Sequence, residues 1–208
     1  MFNPCQLCCV RIHPPRRTLM RTLSLLAAML VSFSSHAAWQ LDNSQSALRF
    51  VTVKNSLVAE THSFKSLSGT WSDDGVVNVS IDVKSLDTLV PIRNERMLEH
   101  LFHAAKFPMI SATTRVDPNL VTKLAVGATT QQKAELKLTL LDQTQTVMVD
   151  LQLVKLADNK VLAHTQSPVL VNAATFKLDG GVAKLQEIAK LKTIELVVPT
   201  TFSVVFQH

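Results

Sequence analysis

The stretch VSIDVKSLDTLVPIRNERMLEHLFHAAKFPMIS, residues 79–111, contains the contrast that decides the fold. Its first residues alternate apolar and polar side chains, as a strand with one buried face does. From Asn94 to Ala105 the apolar residues instead recur at helical spacing, which gives one apolar helix face. Pro91 and Pro108 limit this segment, because proline is not tolerated inside a helix. We therefore predict a short helix between two strands.

Alternation with period two continues over most of the chain. It covers residues 47–52, 76–84, 135–140, 147–153 and 201–206. Polar turns, such as Leu141–Gln145 and Asp158–Lys160, separate these segments. One apolar and one polar face per strand is typical of an antiparallel sheet with one face in water. The pattern fits a sandwich or a barrel, and we favour a barrel because it leaves no exposed edge. Gly181–Leu191 is predicted as a second short helix.

Residues 20–37 have the features of a secretory signal peptide. Arg21 supplies a positive start, Leu23–Phe33 is apolar, and Ser35 and Ala37 are small residues at the −3 and −1 positions of a cleavage site. We expect cleavage after Ala37 and a periplasmic protein. An uncleaved anchor is the alternative, but the apolar run is short for a bilayer span of about 20 residues.

Residues 1–19 are interpreted as an over-long gene start, or else as a long positive segment, because Met20 begins a signal peptide of ordinary length. All three cysteines, Cys5, Cys8 and Cys9, lie here. A tetrahedral metal site needs four ligands, so we expect no metal. The mature chain, residues 38–208, is predicted to be one domain without a disulfide or a transmembrane segment.

The net charge of +5 comes largely from the part that we expect to be removed. Residues 1–37 contain four arginines and no acidic residue, so 21 basic residues fall to 17 against 16 acidic ones, and the net charge falls to +1. A near-neutral chain has no electrostatic basis for binding nucleic acid. We therefore expect no nucleic-acid partner.

From about Trp39 to Phe206 the chain resembles the YceI-like family of periplasmic polyisoprenoid-binding proteins. The motif that carries the resemblance is Val79-x-Ile81-x-Val83-x-Ser85-Leu86-Asp87-Thr88, followed by Arg93-Asn94, Leu101-Phe102 and Phe107-Pro108. Phe64–Trp71 is similar to the second strand of the family. The chain also departs from the family: Ala112 and Thr114 replace a phenylalanine and a serine, Asp142 replaces a hairpin glycine, and Thr175–Leu178 matches the final family segment only loosely.

The resemblance implies an extended eight-stranded antiparallel barrel of lipocalin type. It also implies a long apolar cavity for an isoprenoid or similar lipid chain, with no cofactor. From the alternation we predict that ten residues point inward, namely Leu48, Phe50, Val79, Ile81, Leu138, Leu140, Val149, Leu151, Phe202 and Val204. Phe64 and Phe102 are predicted to line or cap the space.

A barrel of eight strands is wide enough either to hold one small ligand or to fill itself with side chains. Two functions therefore stay open. The first is a lipid-binding protein with an open cavity. The second is a packed structural or stress-related barrel that binds a protein partner. A homodimer is one of the oligomeric states that the sequence allows.

The charged residues of the helical insert suggest two further hypotheses. Arg93 and Arg96 could meet an anionic lipid head at a cavity mouth, or they could pair with Glu95, Glu99 or Asp87. We favour pairing for Arg96 and leave Arg93 open. Both arginines are close in the chain to the motif Glu99-His100-x-x-His103.

His100 and His103 share a helix face with spacing that could suit a metal. No third downstream ligand is evident, so we interpret this face as solvated. His62 and His164 are expected at the surface or in satisfied hydrogen bonds. The sequence contains no serine elbow, glycine-rich phosphate loop or cysteine nucleophile motif. We therefore expect a protein that is not an enzyme.

Overall fold

The computed structural model describes residues 38–208, so the predictions for residues 1–37 lie outside the described part of the chain. Strands dominate this part. They are β1 (Trp39–Lys54), β2 (Val58–Phe64), β3 (Leu67–Trp71), β4 (Val76–Asp82), β5 (Leu86–Asp87), β6 (Met109–Arg115), β7 (Thr129–Leu140), β8 (Gln143–Ala157), β9 (Lys160–Thr165), β10 (Val169–Asn172) and β11 (Val197–Gln207). The helices are α1 (Pro91–Arg96), α2 (Asn119–Thr122) and α3 (Asp179–Ala189).

The strands form one sheet that closes on itself. The closed ring runs β1-β3-β4-β6-β7-β8-β9-β11 and returns to β1, because β11 also pairs with β1. Every pairing in the ring is antiparallel. The predicted eight-stranded antiparallel barrel is confirmed.

The remaining three strands lengthen the barrel at one end. Strand β2 pairs with the second half of β1, β5 pairs with β2, and β10 pairs with the start of β11. Only short breaks separate β2 from β3, β4 from β5, and β9 from β10. Each of these pairs is therefore one long strand with a bend, and the ring consists of eight long strands that follow one another along the chain.

Two hairpins have tight turns, and one of them is tighter than the sequence pattern predicted. Strand β8 already begins at Gln143, so the predicted turn Leu141–Gln145 is reduced to Leu141 and Asp142. Between β1 and β2, Asn55 and Ser56 both have positive φ values, of 52° and 58°. Two such central residues define the mirror-image turn whose twist matches a hairpin.

The predicted helical inserts exist with shifted bounds. Helix α1 starts at Pro91 rather than Asn94, because a proline at the first helical position lacks only an N–H group that would have no partner there. It continues as a π-helical turn over Met97–Leu101. Helix α3 begins and ends two residues earlier than predicted. The short helix α2 was not predicted.

One end of the barrel, which we call the closed end, is filled by aromatic side chains. Trp71 is only 2% exposed, and its Nε1 donates a hydrogen bond to the carbonyl of Val116 over 3.2 Å. Its ring centroid lies 5.7 Å from that of Trp39 and 6.0 Å from that of Phe206. At the other end, the open end, α3 packs against the π-helical turn that follows α1, and α1 contacts β5. Within residues 38–208, no helix is long and apolar enough to cross a bilayer.

Candidate functional site

The inward faces of the strands surround an apolar cavity of about 500 Å³. The strand register explains its wall. Val79 pairs with Ala112, and Ala112 pairs with Leu138, so three inward side chains form one row across β4, β6 and β7. Because alternate residues of a strand face the same side, the period-two pattern of the sequence becomes a continuous apolar lining.

All thirteen residues predicted to bind a ligand lie on the wall of this cavity. They are Leu48, Phe50, Phe64, Val79, Ile81, Arg93, Phe102, Leu138, Leu140, Val149, Leu151, Phe202 and Val204. Three of these phenylalanines, Phe50, Phe64 and Phe102, form a row. The ring centroids of Phe50 and Phe64 are 5.6 Å apart, and those of Phe64 and Phe102 are 5.8 Å apart. That these residues contact a ligand stays a prediction.

The C-terminal third of the chain contributes wall residues that the predicted set omits. Strand β10 supplies Val169 and Val171, and α3 supplies Val182, Leu185 and Ile188. The helical stripe of α3 is visible in the sequence, but nothing in the spacing shows which surface it covers. The structure shows that this stripe faces the cavity.

The cavity reaches the protein surface at the open end. Four of its wall residues are also solvent-exposed, namely Val90, Ile92, Ala189 and Glu195. They belong to the start of α1 with the residue before it, and to the chain at and after the end of α3. The opening therefore lies between these two segments, while Trp71 and Phe206 form the floor at the closed end.

A compact ion-pair cluster lies beside the opening. Lys54 Nζ and Arg93 Nη1 contact the same oxygen of Glu60, over 2.8 and 2.7 Å. Arg93 Nη2 also donates to the carbonyl of Thr88. The hydrogen bond from Lys54 is the main cause that holds the pKa of Glu60 below its usual value; Arg93 acts in the same direction, and partial burial opposes both.

The partner of Arg93 is not one that the sequence suggested. Glu60 lies on β2, whereas the candidates Glu95, Glu99 and Asp87 were chosen for their closeness along the chain. Asp87 instead pairs with Lys65 over 3.2 Å. The favoured pairing of Arg96 is wrong as well, because in residues 38–208 the ion pairs of this structure do not include it. Arg96 lies on the cavity wall.

His62, which was predicted at the surface or in satisfied hydrogen bonds, is part of the cavity wall. His62 is only 3% exposed, and its Nε2 lies 2.9 Å from the hydroxyl of Thr52. Its Nδ1 is buried and has no hydrogen-bond partner among the described residues. Burial is the main cause that lowers the pKa of His62, with the nearby charge of Arg93 next, so the ring is neutral at physiological pH.

The sequence of residues 39–206 matches the family model of the YceI-like domain. The chain belongs to the YceI-like family. A solved polyisoprenoid-binding domain from Saccharophagus degradans, implicated in plant cell wall breakdown, is 33% identical with a TM-score of 0.80; the match covers 82% of this chain and 98% of that one. No curated protein matches the sequence significantly.

Two more distant structures show the same fold. BcnA from Burkholderia cenocepacia is 18% identical with a TM-score of 0.62, and the match covers 79% of this chain and 98% of that one. A YCEI protein from Campylobacter jejuni is 15% identical with a TM-score of 0.51, over 71% of this chain and 84% of that one. At this identity both comparisons inform only on the fold.

The departures of this YceI-like domain from its family pattern bear on the cavity. Ala112 and Thr114 both lie on the wall. Ala112, at the position where the resemblance implied a phenylalanine, has a small side chain between Val79 and Leu138. Asp142, by contrast, lies in the two-residue turn after β7, outside the lining.

The suggested metal motif does not form a ligand cluster in this YceI-like domain. His100 Nε2 lies 3.8 Å from Glu99, and His103 lies beyond the end of the π-helical turn at Leu101, with a φ of 46°, so the two histidines do not share a helix face as predicted. No group of three or more metal-ligating side chains occurs within residues 38–208. The expectation of a metal-free protein stays a prediction, which elemental analysis of the purified protein tests.

Proposed function

We propose that this YceI-like domain is an exported lipid-binding protein that holds the chain of an isoprenoid, or of a similar apolar lipid, in its barrel. The observation that carries the proposal is the apolar cavity of about 500 Å³ with an opening at one end. Ligand sites in proteins commonly measure roughly 300–1,000 Å³. The similar domain from Saccharophagus degradans, described as polyisoprenoid-binding, supports the same function.

The chemistry of the wall favours a hydrocarbon over a polar solute. Burying apolar surface is favourable by about 25 cal/mol per Å², and the inward residues of the strands offer mostly leucine, valine and phenylalanine side chains. A long chain removes enough surface from water to offset the loss of freedom on binding. Trp71 and Phe206 form an aromatic floor at the closed end, so a chain would enter from the open end.

We propose binding without catalysis. Two polar groups of the wall have structural partners: Glu60 is shared by Lys54 and Arg93, and Nε2 of His62 contacts the hydroxyl of Thr52. A general acid or base must be free to exchange a proton with a reacting group. The ion pairs here hold the strands and the helical insert together, which fits a receptor for a ligand.

Val79→Phe and Leu138→Phe test the cavity as the binding site. Each adds a ring to the same row of the wall, so the variants are expected to lose a long polyprenol or to prefer the shorter geranylgeraniol, with the fold retained. Native mass spectrometry of lipid-stripped protein, refilled with each alcohol in turn, measures this. Lys137→Phe adds the same ring to the exposed neighbouring position and serves as the control.

Unchanged binding of both alcohols by the two wall variants would show that the ligand lies elsewhere. If the unmodified protein binds neither alcohol, the packed, partner-binding barrel becomes the better explanation.

Export is tested separately. N-terminal sequencing of the protein from a periplasmic fraction is expected to begin at Ala38, as the pattern of residues 20–37 predicts. A mature protein that retains Cys5, Cys8 and Cys9 would contradict export with cleavage.

A further inference from the structure

Apolar side chains surround the opening of the cavity and point into water. Leu57 at the tip of the β1–β2 hairpin is 87% exposed, and Leu89 in the segment before α1 is 83% exposed. Val58, Val90 and Ile92 are exposed as well. We call these five residues the apolar rim. Single exposed apolar residues are ordinary, but a cluster at one place marks an interaction site.

The strand register places the two parts of the rim at the same end of the barrel. Strand β5 runs antiparallel to β2, with Asp87 opposite Ser63. The residues after Asp87 therefore continue along β2 toward the hairpin tip. The 2.7 Å contact between Arg93 and Glu60 confirms that the chain reaches this level.

Hydrogen bonds hold the rim in its exposed position. The N–H of Leu89 donates to the carboxylate of Asp87 over 2.8 Å, and the N–H of Thr88 donates to the side chain of Asn94 over 2.9 Å. The φ of Leu89 is 61°, a left-handed conformation that is unfavourable for a leucine. Leu89 therefore has an unfavourable backbone conformation, and its apolar side chain is unfavourably exposed to water.

The hairpin tip is fixed from the other side of the opening. The N–H of Asn55 donates to the carbonyl of Thr193 over 2.9 Å, and the N–H of Lys192 donates to the side chain of Asn55 over 2.8 Å. The exposure of Leu57 therefore belongs to a defined structure that connects β1 to the chain after α3.

The charges around the opening nearly balance. The segments 54–60, 87–96 and 187–195 contain five basic residues, Lys54, Arg93, Arg96, Lys190 and Lys192, and five acidic residues, Glu60, Asp87, Glu95, Glu187 and Glu195. Two further lysines, Lys65 and Lys184, pair with Asp87 and Glu187. A surface with so small a net charge gains little from an anionic partner. Attraction to this end of the barrel must come from its apolar side chains.

We propose that the apolar rim docks onto the surface of a lipid bilayer and places the opening of the cavity against the hydrocarbon. The inference rests on the proposed function, in which the ligand is itself a lipid. Val90 and Ile92 belong both to the rim and to the cavity wall, so the apolar lining is continuous with the docking surface. A lipid chain can then pass between bilayer and barrel without crossing water, which would be costly in proportion to its apolar area.

Flotation of the mature protein with vesicles tests the proposal. The protein is expected to float with vesicles of phosphatidylcholine alone, and equally with vesicles that also contain phosphatidylglycerol, at low and at high salt. The double variant Leu57→Ser/Leu89→Ser removes two leucines from the contact and is expected to bind at least roughly ten-fold more weakly. The matched control is Val126→Ser/Met148→Ser, which changes two exposed apolar residues away from the rim.

The polyprenol-binding assay, run on the same variants, separates this inference from the proposed function. A protein that binds polyprenol but no vesicles overturns docking and leaves the function standing. Flotation that needs phosphatidylglycerol and disappears at high salt overturns the apolar mode of docking.

A dimer in solution that the double variant dissociates, without flotation of either protein, assigns the rim to a second copy and also overturns docking. Flotation without any polyprenol binding refutes the proposed function only.

Discussion

The two ends of the barrel are built in opposite ways. At the closed end, Trp71 contacts Trp39 and Phe206, and its only polar atom is hydrogen-bonded to Val116. At the open end the wall contains charged residues and a histidine whose buried Nδ1 has no partner among the described residues, and the apolar rim surrounds the opening.

The difference indicates that stability and ligand access belong to different ends of the barrel. Close packing of apolar side chains supplies most of the stability of a domain. The closed end has this packing, so we assign to it the larger share of the stability. The open end keeps arrangements that lower stability, as binding sites commonly do. Four substitutions test this division, and they follow from the largest expected effect to the smallest.

Trp71→Ala should destabilise the domain by about 3–5 kcal/mol, as large aromatic truncations in cores do. The substitution opens a void between Trp39 and Phe206 and leaves the Val116 carbonyl without its donor. Urea denaturation measures the free energy of unfolding. Leu57→Ala at the open end is the control, with an expected change within about 0.5 kcal/mol. Similar losses in both variants would contradict the division between the two ends.

Arg93→Met should lower the free energy of unfolding by about 1–2 kcal/mol, because it removes charge-assisted hydrogen bonds to Glu60 and to the Thr88 carbonyl. The same urea experiment applies. Arg96→Met lies one helical turn later and is the matched control, since no ion pair is lost there among the described residues. If both variants behave alike, the ion-pair cluster is not what ties α1 to β2.

His62 should make stability depend on pH. Its pKa in the folded domain is lowered from the ordinary value of 6.5, so the unfolded chain binds a proton more readily than the folded one. The resulting contribution is complete above pH 6.5 and is lost as the pH falls toward the folded pKa, by at most about 1.4 kcal/mol per pH unit for one proton.

His62→Phe tests this linkage, because a phenylalanine fills the same inward position and cannot bind a proton. Thermal denaturation from about pH 7.5 to about pH 5.5 should show a shallower pH dependence in the variant than in the unmodified protein. The range stays above the lowered pKa of Glu60, the carboxylate nearest to Arg93. Identical slopes would show that another group causes the dependence.

Leu89→Asn should raise the free energy of unfolding by about 0.5 kcal/mol. Asparagine tolerates a positive φ better than leucine does, and the exposed leucine side chain has little packing to lose. Leu57 is similarly exposed but does not have a positive φ. Leu57→Asn should therefore not raise the free energy of unfolding. A loss of stability in Leu89→Asn would mean that the leucine has a structural task.

Much of the barrel was predictable because the alternation of apolar and polar residues along a strand can be read from neighbouring positions in the sequence. Alternation places Val79, Ile81 and Leu138 on an inward face whatever the neighbouring strands are, and their position on the wall follows. The helical stripe after Pro91 was visible for the same reason. The predicted start of α1 was wrong by three residues, because proline is excluded from the interior of a helix but is tolerated in its first turn.

The polar part of the site was not predictable in the same way. Glu60 and Arg93 are far apart in sequence and meet only because β5 pairs with β2, a register that no local pattern specifies. His62 alternates correctly with Phe64 but is a polar residue in an apolar row, and such a residue is usually assigned to the surface. The short helix α2 has too few residues to show a period.

The seam between β1 and β11 has a consequence for the synthesis of the protein. It pairs Leu48 with Phe202 and Leu41 with Phe206. Strand β1 therefore cannot complete its pairing until β11 has been synthesised. A chain released before residue 197 would leave β1 and β9 with unpaired edges, which invite aggregation. Contacts so distant in sequence also form slowly. The eleven residues of β11 therefore determine when the growing chain can become a closed barrel.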